Sequence, residues 1–224
     1  MADSDKYLRQ WRLPRGRHSL PRELVARSQR ERLLSAVVRV AGVKGYRSTS
    51  VADVLEEAGV GRETFYERFE DKRDCLLAAR AILVDDLEAA VAVAYGGRGP
   101  WVERVRKALI AMLEWFASDP AAARVVVVEP AAVGAISREL FSADFGRFNK
   151  LIDEGLDGAP DLPQAAGLAV GAGLARVYEE VVRGRTAELP RLLPELTYEL
   201  LVPFVGEEAA RAEERLAIEM AVDP

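Results

Sequence analysis

The sequence has almost none of the side chains that carry out chemistry. One cysteine, Cys75, and one histidine, His18, stand among 224 residues. A lone cysteine excludes an intrachain disulfide and any cysteine-based metal site. At this position it reads as a small buried helix residue. There is no Gly-rich phosphate loop and no His/Asp/Glu spacing suited to a metal. The adjacent acids Glu179-Glu180, Glu207-Glu208 and Glu213-Glu214 would point about 100° apart on a helix, which suits solvated faces better than an acid–base dyad. Catalytic residues, metal ligands and cofactors are therefore all expected to be absent, and the chain is not expected to be an enzyme. Long apolar runs are missing too. Runs such as Val125 to Val128 are far short of the ~20 residues that cross a bilayer. The charged N-terminal stretch lacks the apolar core of a secretory signal, so a cytoplasmic location without membrane contact is expected. No persuasive strand, internal repeat or low-complexity tract occurs.

What remains is helical. Half of the residues are hydrophobic and the mean hydropathy is −0.03, which fits a globular chain long enough for one large domain or a small one fused to a larger one. Pro21 suits the first position of a helix capped by Ser19 or Leu20 and closed by Gly45. Leu24, Leu33, Leu34, Val37, Val38 and Ala41 form its apolar stripe. Asp71 caps a helix over Lys72 to Tyr95, and Gly96-Gly97-Arg98-Gly99-Pro100 is the clearest linker. Beyond it the pattern predicts helices over Trp101 to Ser118, Ala121 to Glu129, Ala132 to Leu156, Leu162 to Arg183, Pro190 to Val202 and Glu207 to Met220. The breaks fall at Asp119-Pro120, Pro130, Asp157-Gly158-Ala159-Pro160, Gly184 and Pro203.

The most informative stretch runs from Ser48 to Lys72. Ser50 and Asp53 form a Ser-x-x-Asp capping box, and Val51, Val54, Leu55 and Ala58 recur at helical spacing. Gly59 suits a positive φ just past the helix end. A second short helix, Arg62 to Phe69, puts Phe65 and Phe69 on one face and leaves Arg62, Thr64, Tyr66 and Arg68 for another. A buried aromatic side opposite a hydrogen-bonding side is what the second helix of a helix-turn-helix requires.

These residues resemble the signature of the tetracycline-repressor (TetR) family of transcriptional regulators. The likeness is ordered: Gly45-Tyr46, then Thr49-Ser50-Val51, Ala58-Gly59-Val60, Thr64-Phe65-Tyr66, Phe69 and Asp71-Lys72. It covers roughly Arg30 to Leu77. Gly61 departs from the family's usual capping Ser, and Leu55 from its usual small Ala. The resemblance implies an all-α chain. A three-helix helix-turn-helix domain over 21–72 would be joined through helix four to a larger effector-binding and dimerisation domain over 73–224. By position it also implies that Arg62, Thr64, Tyr66 and Arg68 meet bases and phosphates of a double-stranded operator, and that Thr49, Ser50 and Lys72 hold phosphates.

Charge agrees with this placement. Residues 1–50 carry 12 Lys/Arg against 4 Asp/Glu, whereas residues 76–224 carry 15 against 24. Basic charge thus sits beside the proposed reader. Residues 1–20 read as a flexible basic arm, either a disordered tail or an arginine arm that follows a minor groove.

In the second domain Trp101, Met112, Trp115, Phe116, Phe145, Phe148 and Tyr178 are core or pocket lining. The resemblance implies a small, often apolar effector held among these helices, whose binding releases DNA. The stretch Leu162 to Tyr178 is apolar nearly all round, with small residues at Gly167, Gly171 and Gly173; Leu192, Leu193, Leu196, Leu200 and Leu201 form a second stripe. These are either an internal helix pair or a subunit interface. The resemblance favours a homodimer through the last two long helices, and a repressor over an activator. The rival reading keeps the helix-turn-helix for protein contacts, with the helical domain as a binding module.

Overall fold

A computed structural model describes residues 21–134 and 163–222, and among these every regular element is helical. Helix ends set by local chemistry mostly fall where that chemistry puts them. Helix α1 spans Arg22–Lys44, α2 Val51–Ala58, α3 Arg62–Tyr66, α4 Lys72–Tyr95 and α5 Trp101–Ser118. Helices α6 (Pro120–Val127), α7 (Glu129–Ala132) and α8 (Pro163–Val182) follow, then a 3-10 turn over Thr186–Leu192 and α9 over Leu193–Val222. The expected arm over residues 1–20 and the helix expected beyond Gly134 lie outside the described residues, as do Phe145 and Phe148.

The chain divides into two compact units, Met1–Asp86 with Asp119–Gly134, and Leu87–Ser118 with Ala135–Pro224. In the first unit, Leu33, Leu34, Val37, Val38 and Ala41 of α1, Val54 and Ala58 of α2, and Phe65 of α3 are all buried. Helix α6 packs on α1. Its Val run folds as helix because Asp119 accepts hydrogen bonds from the Ala121 and Ala122 amides and Pro120 begins the first turn. A side chain at Gly42 would meet the Ala121 Cα at 2.6 Å, so this crossing depends on a glycine. Cys75 is buried, and that burial pushes its thiol up to about 12, an inert group packed near the Leu33 carbonyl.

In the second unit, Val105 of α5 and Leu200, Leu201 and Ala210 of α9 form a buried cluster with Tyr95. Trp101 stacks edge-on against Phe204 at 5.5 Å, so it is committed to this cluster. Arg106 and Glu213 form an ion pair. Helix α8 meets α9 where Gly173 faces Leu196.

Three expectations need correction. Pro21 is the N-cap of α1, not its first residue: its ψ of 138° is extended, and its carbonyl accepts from Leu24 and Val25. Helix α3 stops at Tyr66, where the Arg68 amide tightens onto the Phe65 carbonyl three residues back at 2.9 Å. Pro203 does not end its helix. The break comes at Gly206, with φ 78° and ψ 170°, where glycine can leave the helical region that a proline one turn earlier has already weakened.

Candidate nucleic-acid interface

The interface is built around α2 and α3. Ser50 caps α2 reciprocally: its hydroxyl accepts from the Asp53 amide at 3.2 Å, and Asp53 Oδ2 accepts from the Ser50 amide at 2.6 Å. Lys44 adds an ion pair to the same carboxylate at 2.6 Å. These partners, Lys44 first and then Ser50, hold the Asp53 carboxyl well below its usual range. At the far end Gly59 takes φ 62° and ψ 43°, and Arg32 donates to the Ala58 and Gly59 carbonyls left open there. Arg39 pairs with Glu57 at 2.6 Å. Helix α1 thus grips α2 by three cations along its length, and two acids of α2 are neutralised in doing so.

Helix α3 begins at Gly61, which offers no side-chain cap. Phe65 is fully buried and touches Phe69 at 5.8 Å between ring centres, with Arg30 over the Phe69 ring. The opposite side is open. Arg62 and Arg68 are exposed, Thr64 is half-buried, and Tyr66 is 51% exposed while its ring braces edge-on against Phe65. None of the four positions expected to read DNA is buried with Phe65 and Phe69. Glu63 and Glu67 are exposed as well, Glu67 within 3.7 Å of Arg68.

Two further residues are placed differently from their expected roles. Thr49 is buried, and its hydroxyl donates to the Gly45 carbonyl at 2.8 Å, so its side chain holds the turn from inside and does not face outward. Lys72 is half-buried; its ammonium donates to the carbonyls of Tyr46 and Thr49 and lies 4.2 Å over the Tyr46 ring. Of its three donors, at most one is left for another partner. Meanwhile Arg47 and Arg73 are exposed, and neither they nor Arg62 make an ion pair with a described residue. Arg73 lies near enough to act on the Tyr46 hydroxyl, whose titration burial pushes up and Arg73 pulls down. Sequence pattern singles out neither arginine, although Arg47 follows Tyr46 and Arg73 follows Lys72.

Residues 33–79 match the family described as bacterial regulatory proteins, tetR family. Over that stretch the chain is similar to the TetR family. Its matching stretch is the unit just described, from the core of α1 to the first turns of α4. Individual TetR-like and HTH-type proteins agree. An uncharacterized HTH-type transcriptional regulator in the lacX 3′ region of Lactococcus lactis subsp. lactis is 36% identical over 52 residues, 23% of this chain and 26% of that protein. The match therefore spans about a quarter of that relative's length. The fatty acid degradation regulator FadR from Bacillus halodurans superposes with a TM-score of 0.68 at 19% identity, covering 77% of this chain and 94% of that one. A gamma-butyrolactone receptor, an ArpA-like protein, superposes with a TM-score of 0.63 at 22% identity, covering 87% and 99%. At such identities the two structures speak for the TetR fold alone.

Five of the seven residues expected to line an effector site lie within the described part. Trp101 lies against Phe204, Trp115 and Phe116 form a buried edge-on pair 5.4 Å apart, and Met112 is half-buried. Tyr178 is 42% exposed. Among the described residues no helix is long and apolar enough to cross a membrane, and no group of acidic, His and Cys side chains could hold a metal.

Proposed function

We propose that the chain is a dimeric, sequence-specific DNA-binding regulator, a repressor released from a palindromic operator by a small molecule. The observation that carries this reading is the α3 face: Phe65 is fully buried while Arg62 and Tyr66 stand in solvent on the other side. A short helix anchored by a buried aromatic and showing a tyrosine and two arginines to solvent has the side chains that major-groove reading needs. Arg62 and Arg68 would grip guanine edges or phosphates, with Tyr66 and Thr64 at phosphates or thymine methyls. Ser50 and the first amides of α2 would hold a phosphate. Arg47 and Arg73 join the phosphate contacts, and Thr49 and Lys72 brace the turn behind them.

The division of labour is the one expected along the chain: a basic arm over 1–20, a reader over 21–72, and an effector-binding and dimerising part over 73–224. Two amendments are needed, because residues 73–86 and Asp119–Gly134 fold into the reader's compact unit. The dimer reading is supported by α8, where Leu168, Tyr178 and Val182 are exposed apolar residues one to three turns apart along a helix whose first half is rich in small residues. The Leu193, Leu196, Leu200 and Leu201 stripe, by contrast, is buried within its own unit. Two such subunits would read the halves of a palindrome. By family resemblance the effector is a small, largely apolar molecule. A cytoplasmic location, beside the DNA, completes the reading.

The test is selection of duplexes from a randomised library by the full chain, followed by affinity measurements over a range of salt. A recovered palindrome with a steep salt slope is expected. A chain that enriches no sequence and binds DNA with no salt dependence would leave the rival, a protein-docking helix-turn-helix, as the better reading.

A further inference from the structure

The peptide of Tyr46 is held on both sides by charged side chains from other elements. Its carbonyl accepts from Lys72 at 2.9 Å. Its amide donates at 2.7 Å to Glu129, a residue 83 positions further along the chain. Glu129 is 2% exposed and receives another hydrogen bond from Arg124 Nε at 2.7 Å. The pair lies directly under Gly45: a side chain built there would come within 3.6 Å of Arg124 and 3.7 Å of Glu129. The Tyr46 amide lies beyond the end of α1, where Gly45, at φ 79° and ψ 153°, has turned the chain away from the carbonyls of the last helical turn. A buried carboxylate is costly unless it is both paired and hydrogen-bonded. Glu129 meets that condition by serving Arg124 and Tyr46 together.

This turn is where the proposed DNA contacts converge. It carries the exposed Arg47, ends in the cap Ser50 that starts α2, and receives Lys72 through Tyr46 and Thr49. We infer that Glu129, oriented by Arg124, is a positioning residue for DNA binding: it sets the Tyr46 peptide and through it the phosphate-facing turn, without touching DNA itself. This rests on the DNA-binding reading above. In physical terms the reading surface is incomplete with α1 to α4 alone, and a carboxylate from the returning α6–α7 segment finishes it.

The test uses full-length protein and the duplex that the parent selects. Glu129→Ala is expected to weaken binding about tenfold, as for loss of a charge-assisted hydrogen bond, and to speed exchange of the Tyr46 amide. The double variant Glu129→Gln/Arg124→Met keeps a neutral acceptor for that amide and removes the cation that needs the charge. It is expected to stay within about threefold of the parent, with Tyr46 protected. A folded Glu129→Ala protein that binds as tightly as the parent overturns the inference, as does a double variant that protects Tyr46 yet binds as weakly as Glu129→Ala. Should Glu129→Ala not fold, Glu129→Gln alone takes its place. Its amide nitrogen cannot accept, so one of the two donors loses its oxygen; a loss of roughly two- to fivefold is expected and an unchanged affinity refutes. If the parent selects no duplex, the DNA-binding reading fails and the inference falls with it; if the parent binds and the variants bind equally, only the inference fails.

Discussion

Replacing Gly42 by alanine sets two known effects against each other. Gly42 lies in the last turn of α1, a helix over Arg22–Lys44. At an open helical site the change would stabilise the protein by about 1 kcal/mol, since glycine costs that much in a helix. Here the new methyl would lie 2.6 Å from the Ala121 Cα and 3.0 Å from the Ala121 carbonyl oxygen. Carbon atoms in good contact stand ~3.5–4.0 Å apart, so α6 would have to withdraw by roughly 1 Å. The nearest obstructing atom is the Ala121 Cβ and the next two are backbone, and no rotamer change relieves any of them. Overpacking of this kind costs about 1–3 kcal/mol, and the rigid neighbour puts this site in the upper half of that range. The net expectation is a loss of about 1–2 kcal/mol. For a chain of this size that lowers the melting temperature by roughly 3–8 °C, read by circular dichroism at 222 nm. Ala121→Gly in the same background removes one methyl but leaves the α6 backbone in the way, so it should restore only part of the loss. A Gly42→Ala protein that melts at or above the parent would show that α1 and α6 do not pack at this distance.

Other expectations follow from the same geometry. Asp53 titrates below its ordinary value of 3.8 in the folded state, so its partners stabilise the fold fully above about pH 4 and progressively less as pH falls below it. The melting-temperature gap between the parent and Asp53→Asn should therefore be full at pH 7 and close on acidification; a gap that widens toward low pH contradicts the pairing. Arg62→Ala should relax discrimination at one position of the selected site by about 1–3 kcal/mol, whereas Lys72→Ala should weaken all duplexes alike. Because Lys72 clasps two carbonyls, its loss should also cost about 1–3 kcal/mol of stability, and a Lys72→Ala protein with unaltered melting would assign it to phosphate alone. Leu168→Glu, on a side chain 75% exposed, should convert dimers to monomers in sedimentation; an unchanged sedimentation coefficient would move the interface off this face of α8.

The parts legible in the sequence are those fixed by neighbours. The Ser50–Asp53 box, the left-handed Gly59, the Asp119–Pro120 start and the uncapped Gly61 each involve residues within a turn of one another, and all stand where their chemistry puts them. Features that need a partner far along the chain are not legible. Glu129 reads as the end of an apolar helix because nothing near it names Tyr46 as its partner. Lys72 reads as an outward cation because its two carbonyl acceptors come from the turn before α2. Pro203 misleads for another reason: a proline weakens a helix wherever it stands, but the chain turns only where a residue can adopt the required backbone angles, and that residue is Gly206.

The order in which the chain visits its two units bears on how it is made. The reader's unit is interrupted after Asp86 and resumes at Asp119. During synthesis, α1 to α4 emerge before the segment that covers Gly42 and satisfies Tyr46. At ~5–20 residues per second, that wait lasts roughly 2–10 s. Throughout it the nascent helix-turn-helix carries a bare groove at Gly42 and a peptide amide without its acceptor, so the ribosome releases a finished DNA-reading surface only after part of the other unit has been translated.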